Sequence, residues 1–168
     1  MAAVVAGIGL LPNTDLAEDA GLLVENGIKV NEYLQTSNPN IYAGGDVANY
    51  FDFSLKTNRR VEHEDNAIMM GLTAGHNMTG EEEKYTHLPY FYSDLFNIGY
   101  EAVGDLDSRL DVFIDWETPF EKGILYYLKD KYIRGILFWD IWGKLDKARS
   151  LITEGKPYTH EELGSLFK

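Results

Sequence analysis

The feature that most limits what this chain can fold into is a polar dipeptide, Asp130-Lys131, set between two runs of strand-forming residues. Gly123-Ile124-Leu125-Tyr126-Tyr127 precedes it, and Ile133-Arg134-Gly135-Ile136-Leu137-Phe138-Trp139 follows it. Both runs are rich in β-branched and aromatic side chains, and the break between Leu128 and Tyr132 is short enough to demand a tight hairpin. That pairing commits the second half of the chain to an antiparallel sheet. Strands are expected at 123–129 and 132–141, with further strand-like segments at 89–94, 98–104 and 109–115. Helices follow at 144–154 and 159–166, the second opened by Thr159 with Glu162 at capping-box spacing.

Ahead of the sheet the pattern changes. Val4-Val5-Ala6-Gly7-Ile8-Gly9 reads as a buried strand starting at residue 2 or 3, with nothing before it to pair against. From that abrupt opening we expect the C-terminal portion of a longer protein. Asn13 or Thr14 caps a short helix that reaches Ala20 and stops at Gly21. Gly27–Val30 and Ile41–Ala43 read as short strands, 36–40 as a turn, and 49–60 as an irregular loop. A helix over 62–78, closed by Gly80, carries Ala67, Ile68, Met69, Met70, Leu72 and Ala74, which is apolar on most sides and expected to be buried. Glu81-Glu82-Glu83-Lys84 is a solvated hinge. Net charge is −8 over residues 1–84 (5 basic, 13 acidic) and −4 over 85–168 (10 basic, 14 acidic). The expected fold class is α+β: the tail of an α/β unit over 1–84, then an antiparallel α+β unit over 85–168.

Charge and composition exclude several functions. A net charge of −12, from 15 basic and 27 acidic residues, disfavours nucleic acid and anionic membrane surfaces, which need clustered Lys and Arg. There is no cysteine, so disulfides, thiolate metal sites and cysteine nucleophiles are ruled out within the chain. No apolar run approaches the roughly 18 residues of a membrane span, and no basic leader precedes the first strand. A cytoplasmic protein is expected. The four histidines, His63, His76, His87 and His160, are too dispersed for a helical metal pair, so no metal is expected. Trp116, Trp139 and Trp142 are read as core or interface residues.

The stretch from Thr36 to Ala48 carries the chemistry. A turn, the strand Ile41–Ala43 and then Gly44-Gly45-Asp46 would set a carboxylate just past a strand's C-terminal end, where open α/β sheets bind ligands. Two glycines allow close backbone approach, and Asp46 could accept a hydrogen bond from a sugar-like hydroxyl. The same dipeptide also makes ordinary turns. Residues 36–46 closely resemble the second flavin-binding motif of the two-dinucleotide-fold flavoprotein reductases, in which the Asp hydrogen-bonds the ribityl chain of FAD. Val5–Thr14, which includes Gly7 and Gly9, resembles the point where their NAD-binding domain returns to the FAD domain, although no third glycine completes a dinucleotide fingerprint. Arg59-Arg60-Val61-Glu62-His63-Glu64-Asp65-Asn66-Ala67, Ala74–Gly80, Leu88–Leu95 and Gly99–Gly104 are similar to the apoptosis-inducing-factor and ferredoxin-reductase branch of the pyridine nucleotide-disulfide oxidoreductase superfamily.

That resemblance implies FAD and NAD(P)H as cofactors, with hydride passing from NAD(P)H to FAD and electrons to a ferredoxin-like protein, a quinone or oxygen. It implies Gly7, Gly9, Gly45, Asp46, Glu62, His63 and Tyr92 as cofactor-facing positions, with His63 and Tyr92 nearest the chemistry. Each has a plainer alternative: Glu62 as a first-turn helix residue, His63 as a helix cap, Tyr92 as a core aromatic. Tyr92 stands where many members carry Trp. The N-terminus of the 62–78 helix, aimed at the flavin, would stabilise negative charge on reduction. The family's FAD pyrophosphate loop is missing from this chain, so the chain alone is expected to bind FAD weakly or not at all. A non-enzymatic homodimerisation or docking module is the alternative reading.

Overall fold

The computed structural model describes residues 3–168. In chain order the elements are α1 (Asp15–Asp19), β1 (Ile28–Lys29), a 3₁₀ turn (Gly45–Val47), β2 (Ala48–Asp52), β3 (Thr57–Arg59) and α2 (Glu64–Met78). Then come β4 (Tyr90–Leu95), β5 (Ile98–Gly104), β6 (Asp111–Thr118), β7 (Lys122–Lys129), β8 (Tyr132–Trp139), α3 (Leu145–Glu154) and α4 (His160–Leu163).

Asp130 and Lys131 both take left-handed backbone (φ 52° and 71°), the conformation that matches a two-residue turn to the twist of its strands. The hairpin they close is the centre of a five-stranded antiparallel sheet in the order β4-β5-β8-β7-β6. Alternate residues of β7 and β8 point inward, and Tyr126, Leu128, Ile133, Ile136 and Phe138 pack with Ala148, Leu151 and Ile152 of α3 and Leu163 of α4. The Thr159–Glu162 capping box forms in full. The expected α+β class and the antiparallel sheet with its C-terminal helices are what the chain adopts.

The first half is built differently. β1 runs parallel to β2, and β3 returns antiparallel to β2. Val30, Leu34, Ala43, Ala48, Tyr50, Val61, Met70, Ala74 and Tyr85 form a second apolar cluster beneath α2.

Four local expectations are corrected. Residues 4–9 do not form a buried strand: Val4, Val5 and Ile8 are more than nine-tenths exposed, and no strand among the described residues pairs with them. The proposed start of that strand at residue 2 lies outside the described residues. Ile41–Ala43 is reduced to a single bridge, Tyr42 with Gln35, because the backbone closes on itself through Thr36 N–H to Ile41 O and Ala43 N–H to Leu34 O. Residues 49–60 are a hairpin, β2–β3, whose turn at Ser54–Lys56 places Lys56 at φ 52°. Finally, α2 is not buried all round. Asn66, Met70, Thr73, Ala74 and Asn77 face inward, while Ile68, Leu72 and Met78 are more than half exposed.

Of the tryptophans, Trp142 is 46% exposed, and Trp116 and Trp139 are half-buried at the sheet surface. No described helix is long and apolar enough to cross a membrane.

Candidate functional site

Two short segments meet at the tip of α2. The first is the turn that carries Asp46. Gly44 is extended (φ −147°, ψ 167°) and Gly45 swings into the left-handed region (φ 76°), so the chain reverses toward the helix before entering β2. Asp46 therefore sits at the entrance of β2. The sequence had placed it past the end of a preceding strand, and the loss of that strand explains the change. A Cβ on Gly44 would lie 3.1 Å from Met70 Cβ, and one on Gly45 would lie 3.5 Å from Ala67 Cβ. Gly44 is thus tight against α2, and Gly45 is favoured by its left-handed backbone.

The second segment is the entry to α2. His63 occupies the N-cap position in extended backbone, and no side chain caps the helix, which leaves the first-turn N–H groups facing outward with partial positive charge. Arg60 ties the two segments together. Its side chain is 8% exposed and donates from Nη1 to the Asp46 carbonyl oxygen at 2.8 Å, while Nη2 pairs with Glu62 Oε1 at 2.6 Å.

His63 stacks on Phe91 of β4 with ring centroids 4.4 Å apart and planes 15° from parallel. Burial, helped by the charge of Arg59, lowers its pKa against the opposing pull of Glu62, Asp46 and Asp65. That shift favours the neutral ring. As a capping residue it is unused, since its side chain makes no cap bond. Tyr92 is 57% exposed, which removes the core-aromatic alternative. It lines one cleft with Glu62, His63, Glu64, Asp65, Tyr90 and Phe91. A neighbouring groove runs between Tyr42–Gly45 and the Ala67, Gly71, Ala74, Gly75 and Met78 face of α2. Gly45, Asp46, Glu62, His63 and Tyr92 are thus gathered around one helix tip. Gly7 and Gly9 are not, for neither has any atom within 4 Å of a would-be Cβ.

Sequence reasoning missed Asp65. Its Oδ2 accepts from His87 Nε2 at 2.6 Å, from the Tyr90 N–H at 3.1 Å and from Arg149 Nη2 at 3.3 Å. Burial works against the charge, but the His87 hydrogen bond, the Tyr90 N–H and the charges of His87 and Arg149 outweigh it, and the carboxyl is held below its ordinary range. Arg149 also donates to the Leu88 carbonyl oxygen at 2.9 Å. This network fastens the first turn of α2 to β4 and α3. Partners 22 and 84 residues away leave no periodic trace in the sequence. Of the four histidines read as too dispersed for a helical metal pair, His76 has two acidic neighbours: its Nδ1 lies 2.6 Å from Glu83 Oε2 and 3.9 Å from Glu81 Oε2. All three are exposed, and the Glu83 hydrogen bond raises the pKa of His76.

Comparisons with known proteins identify the family. The family model "Pyridine nucleotide-disulphide oxidoreductase" matches residues 1–71, and "Apoptosis-inducing factor, mitochondrion-associated, C-term" matches 74–117 and 114–154. The chain is 40% identical over 97% of its length to apoptosis-inducing factor 1, mitochondrial, of Dictyostelium discoideum, covering 33% of that protein. It is 30% identical over 96% of its length to the putidaredoxin reductase of Pseudomonas putida, covering 38% of it. The chain thus spans about a third of the length of these relatives. Among solved structures, a ferredoxin reductase from Rhodopseudomonas palustris matches with a TM-score of 0.83 at 28% identity, over 95% of this chain and 41% of that one. The reductase–putidaredoxin complex matches at 0.84 and 30% identity, over 95% and 38%. The family uses FAD and NAD(P)H. Two family models and these relatives together cover nearly every element described above, and the chain belongs to the pyridine nucleotide-disulphide oxidoreductase family, in its apoptosis-inducing-factor and ferredoxin-reductase branch.

Proposed function

We propose that this chain supplies the flavin-facing edge of an FAD-dependent NAD(P)H oxidoreductase whose electrons go to a ferredoxin-like protein, a quinone or oxygen. One observation carries the reading: the Asp46 turn and the uncapped tip of α2 lie against each other, bridged by Arg60. The cradle fits the group. Its wall is largely glycine and alanine where a larger side chain would fill the groove, and Asp46 directly follows the glycines that form it.

When bound, FAD supplies a two-electron acceptor for hydride. Asp46 would hold the ribityl hydroxyls and Gly45 would admit the backbone beside them. The α2 N–H groups would stabilise charge gained on reduction. Neutral His63, steadied by Phe91, and exposed Tyr92 would form the face that receives nicotinamide, with Glu62 held beside them by Arg60. Gly7 and Gly9 remain family-implied positions outside this cradle. The division at residues 84 and 85 and a cytoplasmic setting stay part of the proposal, the latter beside relatives whose names place them in mitochondria.

The chain alone does not hold FAD stoichiometrically. Purified chain should be colourless, and a stoichiometric yellow protein would overturn that clause. A second role is supported by the exposed Ile68 and Leu72 on α2: this apolar face drives homodimerisation of the isolated chain. For the intact protein, loss of NAD(P)H oxidation in D46A with NAD(P)H binding kept is the expected result; full activity in D46A would remove Asp46 from the site.

A further inference from the structure

Gly45 does not turn its N–H to solvent or to a backbone carbonyl. The N–H points into α2 and meets the thioether sulfur of Met70 at 3.3 Å. Met70 is fully buried. Its sulfur also lies 3.5 Å from Asn66 Nδ2, which donates in addition to the Val61 carbonyl oxygen at 3.1 Å. Asn66 is itself fully buried, and its Oδ1 accepts the Tyr85 hydroxyl at 2.8 Å. One chain of polar contacts thus runs from Tyr85, just ahead of the sheet, through Asn66 and Met70 to the turn that presents Asp46.

A thioether is a weak acceptor, and a core position facing apolar neighbours would ordinarily take Leu or Ile. Here the sulfur meets a donor that has no other partner and that belongs to the residue before Asp46. The turn also sits close on the same residue, since a Cβ at Gly44 would lie 3.1 Å from Met70 Cβ. We propose that Met70 is a positioning residue: its sulfur accepts the Gly45 N–H and so fixes the angle at which the turn holds Asp46 toward the cofactor. The proposal deepens the flavin reading above and rests on it for what the turn is for. The bond itself is testable without flavin.

The test compares the wild-type chain with M70L, which keeps the volume and removes the acceptor. Amide hydrogen exchange at Gly45 should accelerate by about tenfold, with the amides of α3 unchanged. A second measurement needs no variant: with selenomethionine incorporated, a through-hydrogen-bond coupling between the Gly45 amide proton and one selenium should be seen. That coupling should vanish in M70L. Unaltered Gly45 exchange in folded M70L, or a Gly45 proton with no selenium coupling, would overturn the proposal whether or not flavin binds. If instead the bond is confirmed and weak FAD contact at the turn proves equal in wild type and M70L, the positioning role fails; if FAD perturbs Gly44–Val47 in neither, the flavin reading of the turn fails while the bond stands.

Discussion

Asp65 shows what a single side chain does at this site. With its carboxylate 18% exposed and bonded to His87, Arg149 and the Tyr90 N–H, it holds the helix tip against β4. Replacement by Ala strands the Arg149 guanidinium and the His87 ring and should destabilise the fold by about 2 kcal/mol, given the partial exposure of the pair. A denaturant melt at pH 7 measures it. The carboxyl's pKa is lower folded than unfolded, so its contribution is fully present above the ordinary value of 3.8 and is lost as pH falls below it. In D65N the acid limb of the stability profile should flatten below pH 4, whereas wild type should fall. At residue scale, Asp46, Glu62, His63 and Tyr92 were legible because their identity and local order carry the signal. Asp65, Arg60 and Met70 were not, because what matters about them is a partner distant in sequence or a neighbour's missing Cβ.

At the scale of elements, legibility followed locality. The β7–β8 hairpin and the Thr159 capping box are encoded by adjacent residues, and both formed where expected. The β2–β3 hairpin was read as a loop because Asn49–Asp52 mixes polar and aromatic residues without a period of two, and its burial comes from β1 and α2. α2 looked buried all round from composition alone, but only one face has a partner among the described residues. The hairpin also supplies a prediction. Lys131 sits at φ 71°, a conformation that costs a residue with a Cβ about 1 kcal/mol. K131G should therefore raise the melting temperature by a few degrees, and a lower one would show that the Lys131 side chain matters more than its backbone. By contrast, Gly104 (φ 89°) would place a Cβ 2.3 Å from the Arg134 carbonyl oxygen. G104A should cost roughly 3 kcal/mol by strain and overpacking, enough to broaden or abolish the cooperative melt.

For the whole molecule, the α2 cluster draws mainly on residues before the acidic 81–84 segment and the sheet cluster mainly on residues after it. Tyr85 reaches back into the former, and Leu55 of the β2–β3 turn reaches forward into the latter. Arg134 donates to the Leu55 carbonyl oxygen at 2.7 Å, and Arg149 joins Asp65, so arginines join the halves alongside these apolar contacts. The exposed α2 face leads us to expect self-association in sedimentation at high concentration, relieved by I68K/L72K. A clean wild-type monomer under those conditions would count against it.

The claim on which the account turns is that the Asp46 turn and the α2 tip form one edge of a flavin site. Amide shift mapping of the chain with millimolar FAD tests it most directly. The expected shifts are at Gly44–Val47, His63–Asn66 and Phe91–Tyr92, and they should be lost in D46A. Shifts centred on α3 and α4, or a D46A pattern identical to wild type, would contradict it.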